Sequence, residues 1–101
     1  MNENIKLTQF INHLKAMQTV LTEKYHVASL GIFGSYIRHE QKPNSDLDIL
    51  VTFSKTPCLI TFVELQCDLS DWLEVDVDLV LKDGLKPAIA EYILMEAIPI
   101  L

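Results

Sequence analysis

A chain of 101 residues has the length of one domain, and a composition that is 50% hydrophobic and 22% charged excludes a disordered segment. Its formal net charge of −6 disfavours coating of phosphate backbones, so no direct nucleic-acid binding is expected, while a bound cation or a more basic partner protein suits it. No apolar run reaches the ~18 residues that span a bilayer, and Lys6, Asn12, His13 and Lys15 interrupt the N-terminal apolar residues, so a soluble, cytoplasmic protein with neither signal peptide nor membrane span is expected.

In chain order, residues 4–25 carry Leu7, Phe10, Ile11, Leu14, Met17 and Leu21 at spacings of three and four, which predicts one apolar helical stripe. His13 and His26 lack ligand spacing and are expected on a helix surface or in a turn. Residues 27–33, VASLGIF, predict a buried strand. Gly34 permits a tight turn, and Ser35 is placed to cap a short helix over residues 36–40. Lys42-Pro43-Asn44-Ser45 reads as a turn.

Residues 46–53, DLDILVTF, predict a second strand, with Leu47, Ile49, Val51 and Phe53 on one face and Asp46 and Asp48 on the other. Thr56-Pro57 opens a helix over about residues 58–73 whose stripe includes Phe62, Leu65, Leu69 and Trp72. Cys58 and Cys67 match no zinc or CxxC spacing and are expected to be buried or half-buried free thiols. Residues 75–81, VDVDLVL, predict a third strand with Asp76 and Asp78 on one face. Asp83-Gly84 is a turn, Lys86-Pro87 opens a last helix through about Ala97, and the chain ends in IPIL. Alternating helices and strands imply a single α/β (α+β) domain over residues 1–101, a short mixed sheet backed by helices.

The chemistry concentrates in Gly34-Ser35-Tyr36-Ile37-Arg38 and Asn44-Ser45-Asp46-Leu47-Asp48. Aspartates two apart on a strand share a face with α-carbons roughly 7 Å apart. Two carboxylates that close repel unless a cation lies between them, and Mg²⁺ favours a few carboxylates combined with phosphate oxygens. A glycine between strand and helix lets backbone approach a ligand, and a helix N-terminus attracts phosphate. Arg38 is the only arginine in the chain and supplies a planar fork suited to phosphate; its alternative is a surface pairing with Glu40 or Asp46.

Gly34-Ser35, ten residues, then Asp46-Leu47-Asp48 resembles the signature of the nucleotidyltransferase superfamily that includes DNA polymerase beta and kanamycin nucleotidyltransferase. The wider pattern, FGSYIR, SDLDILV and VDLV, resembles its smallest branch, the minimal nucleotidyltransferase (MNT) antitoxins encoded beside all-helical HEPN-family toxins. The resemblance implies the nucleotidyltransferase fold, ATP as nucleotide donor and Mg²⁺ as cofactor. It implies that Gly34 and Ser35 cradle the triphosphate with Arg38 and that Asp46, Asp48 and Asp78 are the catalytic, metal-binding carboxylates. The Asp-Leu-Val context favours Asp78 over Asp76. His39 departs from the glycine usual after the arginine, and Trp72-Leu73-Glu74 replaces the usual Gly-Arg-Lys before the third strand.

Relatives with polymerase or antibiotic-modifying activity carry an extra domain for the acceptor, for which this length leaves no room, so the acceptor is expected on a separate molecule. The resemblance implies an antitoxin that transfers AMP from ATP to a tyrosine hydroxyl of a HEPN toxin, within a hetero-oligomer. The alternatives are an antitoxin that acts by binding only and a transferase subunit for a small molecule such as an aminoglycoside.

Overall fold

The architecture comes from a computed structural model that describes every residue except Met1, His39, Gln41, Pro43 and Asn44, with side chains followed from Leu7 onward. The stripe expected over residues 4–25 is divided between two helices, α1 (Asn2–Ala16) and α2 (Gln18–Tyr25). At the break the Met17 N–H is shared between the carbonyls of His13 and Leu14, at 3.1 and 3.2 Å, which tightens one turn while keeping Leu14 and Leu21 on the same inward side. Apolar spacing is blind to such a break because the stripe continues through it. His26 ends α2 in the left-handed conformation, φ 58°, with its N–H donated to the Leu21 carbonyl. Both His13 and His26 are exposed, as expected.

Four strands form one mixed sheet in the order β3-β2-β1-β4. β1 (Val27–Phe33) pairs antiparallel with β2 (Leu47–Phe53), and β2 pairs parallel with β3 (Val77–Leu81). The fourth strand, β4 (Ile98–Pro99), lies antiparallel to the other edge of β1 and comes from the IPIL terminus, which carries no strand signal of its own. Two residues are too few for alternation to show, and proline is tolerated there because the strand is an edge. β2 and β3 begin at Leu47 and Val77 rather than at residues 46 and 75. Asp46 and Asp76 precede the ladder, and the Leu47 N–H donates to the Asp76 carbonyl at 2.8 Å.

Period-two alternation sets the two faces of the sheet. Leu47, Ile49 and Val51 are fully buried against Leu14 and Leu21 and against Leu65 and Leu69 of α3 (Leu59–Leu73). Such side chains each contribute about 1.5–3 kcal/mol by leaving water. On the opposite face Leu50 is also buried, in a hollow that it shares with Leu94 of α4 (Pro87–Glu96) and with Ala97 just beyond it, and Ile93 of α4 is buried as well. Gly31 leaves room for Ala97 and Ile98: a Cβ on it would stand 3.3 Å from the Ile98 carbonyl oxygen and 3.6 Å from Ala97 Cβ. The residues Lys82–Gly84 make one turn of 3₁₀ helix between β3 and α4.

β3 is an edge strand, and α3 covers its outer side. The Val77 N–H donates to Ser70 Oγ at 3.0 Å and the Leu79 N–H to Gln66 Oε1 at 2.9 Å, so the strand is held on both sides of Asp78. Cys58 and Cys67 are both exposed, against the expectation of burial. Cys67 lies two positions from both Leu65 and Leu69, about 200° around the helix from each, and therefore faces away from the core. Among the described residues no helix is long and apolar enough to cross a membrane.

Candidate active site

β1 ends at Phe33 opposite Asp48, and the chain then reverses at Gly34 with φ +85°. That angle suits glycine, and so does the space: a Cβ would collide with Asp48 Oδ2 and lie 2.9 Å from its Cγ. The Asp48 carboxylate thus rests directly against the glycine backbone. After Gly34 the short helix expected over residues 36–40 gives way to turns across Ser35 to Arg38. The Ile37 and Arg38 N–H groups both donate to the Gly34 carbonyl, at 3.0 and 3.2 Å, and the Glu40 N–H donates to the Ser35 carbonyl at 2.9 Å. A Gly-Ser pair with a polar segment behind it supplies too little apolar periodicity to extend a helix.

Tyr36 ties this turn to the core. Its ring is buried and packs edge-to-face on Phe10 with centroids 5.5 Å apart. Burial, followed by the nearby Asp46 carboxylate, pushes the Tyr36 hydroxyl above its ordinary pKa. His39 lies outside the described residues, as do Pro43 and Asn44 of the predicted turn. The turn's described ends are joined by the Ser45 N–H to the Lys42 carbonyl at 2.9 Å and by the Lys42 N–H to Ser45 Oγ at 2.7 Å.

In the parallel ladder Asp48 is the direct partner of Asp78, so the two side chains project side by side from one face. Asp46 and Asp78 are exposed and Asp48 is half-buried. Desolvation, then the Asp78 and Asp46 carboxylates, push the Asp48 carboxyl from its ordinary 3.8 to about 6, while Arg38 pulls the other way. The cluster is therefore self-repelling, the condition that a cation relieves. No group of three or more His, Cys, Asp or Glu side chains among the described residues is arranged to hold a metal by itself. An all-oxygen set with few protein ligands fits Mg²⁺, which keeps waters and takes phosphate oxygens, better than a metal that needs a complete protein cage.

Arg38 is fixed by two carboxylates. Its Nε donates to Glu40 Oε1 at 2.7 Å and its Nη1 to Glu96 Oε1 at 2.6 Å, so the alternative pairing with Glu40 forms, and Glu96 joins it. Those hydrogen bonds, Glu40 first, raise the guanidinium pKa further. Glu96 is the residue that sequence reasoning missed. It closes α4, and its other oxygen, Oε2, accepts the Gly34 N–H at 2.9 Å. Its partners lie 62 and 58 positions away, so local spacing carries no signal for it. The one hint is a carboxylate in the last turn of a helix, where the macrodipole disfavours it.

Known proteins are similar to this chain in sequence and in fold. The family described as "Polymerase beta, Nucleotidyltransferase" matches residues 15–101. The protein adenylyltransferase MntA of Thermococcus cleftensis is 42% identical over 94 residues, which span 93% of this chain and 95% of that protein. Among solved structures, a chain of a toxin–antitoxin complex with AMP-PNP is 27% identical with a TM-score of 0.73, over 89% of this chain and 73% of that one. A candidate minimal nucleotidyltransferase is 33% identical with a TM-score of 0.75, over 90% of this chain and 93% of that one. With 42% identity to MntA across nearly the full length of both chains, and with the family pattern matched from residue 15 to residue 101, this chain belongs to the polymerase beta nucleotidyltransferase family.

Proposed function

We propose that this chain is an antitoxin that transfers AMP from ATP to a tyrosine hydroxyl of an all-helical HEPN-family toxin and so neutralises it. The observation that carries the reading is the in-register pair Asp48 and Asp78 beside the Gly34 turn and Arg38. The relative MntA, a protein adenylyltransferase, and the similar toxin–antitoxin complex with AMP-PNP support a protein acceptor and ATP as donor.

In this reading the backbone of Gly34 and Ser35 and the Arg38 guanidinium bind the triphosphate. Asp46 and Asp48, with Asp78, would hold Mg²⁺, which would supply Lewis-acid activation of the acceptor hydroxyl and charge compensation for the departing pyrophosphate. The tyrosine oxygen attacks the α-phosphorus, the bond from that phosphorus to the bridging oxygen of pyrophosphate breaks, and the hydroxyl proton passes to Asp78. A tyrosine of pKa about 10 is a weak nucleophile at neutral pH, so a carboxylate base at that oxygen matters. Gln66 and Ser70 keep Asp78 at its register position through the backbone on either side of it.

Exposed apolar side chains support association with the toxin in a hetero-oligomer: Leu59 and Ile60 on α3 are 76% and 70% exposed, and Tyr92 and Met95 on α4 are 66% and 84% exposed. ATP and Mg²⁺ are available in the cytoplasm, where the pair would act. The test is co-expression with a HEPN-family toxin, using ATP labelled at the α-phosphate in parallel reactions. Wild type should restore growth and label the partner; Asp46→Ala combined with Asp48→Ala should still bind the partner but do neither. Full protection by the double variant would replace this reading with neutralisation by binding alone.

A further inference from the structure

We propose that Glu96 is an internal stand-in for the nucleotide's phosphates, a latch on the triphosphate site that ATP must displace. The inference rests on the nucleotide-site reading above and concerns how that site is kept when no nucleotide is bound.

Glu96 uses both carboxylate oxygens, on two of the three groups assigned to the triphosphate. Oε2 takes the Gly34 N–H at 2.9 Å and Oε1 takes Arg38 Nη1 at 2.6 Å. Each oxygen thus takes one hydrogen bond, a charge-assisted one from Arg38 and one from the Gly34 amide, both of which a phosphate oxygen can also accept. The Glu96 side chain is 13% exposed, against 64% for Glu40, the other carboxylate on Arg38, so Glu96 is the one that fills the site.

Its position has no explanation in the helix that carries it. A carboxylate on the last residue of α4 opposes the helix dipole, so the contact to Gly34 and Arg38 is held at some cost to α4. Nor can Glu96 share the site comfortably. A backbone N–H is a single donor and cannot serve a glutamate and a phosphate at full strength, and a triphosphate beside an ionised glutamate brings like charges together. The nucleotide therefore takes over both donors and Glu96 withdraws. Without nucleotide, the latch satisfies the Gly34 amide, keeps Arg38 aimed at the site and gives any smaller anion a competitor.

The experiment is calorimetric titration of Mg²⁺ and AMP-PNP into wild type, Glu96→Gln, Glu96→Ala and Glu91→Gln. Glu91 is an exposed carboxylate on the same helix, so its variant controls for the loss of one negative charge. Melting curves without nucleotide establish that each variant folds, and Glu96→Gln alone decides if Glu96→Ala does not. Removing a competitor for charge-assisted hydrogen bonds should tighten binding about five- to tenfold in both Glu96 variants, with Glu91→Gln within about twofold of wild type. Wild-type binding that is unchanged or weakened in the Glu96 variants, or tightened equally by Glu91→Gln, overturns the latch and leaves the nucleotide site standing. No binding by wild type and Glu96 variants alike overturns both.

Discussion

Replacing Asp48 by asparagine should make the nucleotide-free protein more stable at neutral pH. Asp48 is half-buried and faces Asp78 in register with Asp46 nearby, and its carboxyl is pushed from 3.8 to about 6. A displacement of that size corresponds to about 3 kcal/mol at full strength. Solvent reaches this side chain and the two neighbouring carboxylates are exposed, so screening reduces the recoverable part to about 1 kcal/mol. The sign follows from proton counts. Between pH 3.8 and about 6 the folded state binds more protons at Asp48 than the unfolded chain, so its contribution to stability falls as pH rises through that window and stays low above it. Asparagine, neutral throughout, lacks this loss. Thermal unfolding in metal-free buffer should show Asp48→Asn melting about 4–8 °C above wild type at pH 7, with the gap closing near pH 4. A variant that melts below wild type at pH 7, or a gap that persists unchanged at pH 4, would refute the account of a cluster at odds with itself.

Three further outcomes follow from the same geometry. Gly34→Ala should lose about 1–2 kcal/mol from the left-handed backbone alone, and more from the collision with Asp48, measured by urea unfolding; a neutral effect would mean that the turn relaxes freely. Leu65→Ala, which empties a fully buried site between α3 and the sheet, should lose about 2–5 kcal/mol in the same assay, whereas loss below 1 kcal/mol would show that the core closes over the gap. Mg²⁺ with ATP at a hundredfold excess over Kd should stabilise wild type by about 2.7 kcal/mol. Asp48→Asn should start from a higher melting temperature yet gain little from the ligand, and an equal gain in both proteins would remove Asp48 from the ligand set.

Local signals carried much of this molecule. Period-two alternation located β2, and with it the division between the buried Leu47, Ile49 and Val51 and the outward Asp48. Spacings of three and four located α3 and the inward residues of the first helical segment. What was not legible depends on contacts distant in sequence. The break at Met17 leaves the apolar stripe unbroken, so no pattern registers it. The strand Ile98–Pro99 exists because β1 has a free edge, and nothing within two residues announces that. Cys67 sits in an apolar helix but on its outward side, which composition alone does not resolve. The site divides in the same way. Gly34, Arg38 and the aspartates lie in short, ordered blocks, and the in-register pairing of Asp48 with Asp78 follows once β2 and β3 are neighbours. Glu96 arrives from the far end of the chain, and only the tertiary fold brings it to Gly34.

The most direct test of the central claim is intact mass spectrometry of a HEPN-family toxin, as the proposed partner, after incubation with this chain, ATP and Mg²⁺. The account predicts that the partner gains whole AMP increments, mapped to tyrosine, and that the gain vanishes when Asp46 and Asp48 are both replaced by alanine. A partner that is bound and neutralised at unchanged mass would contradict it.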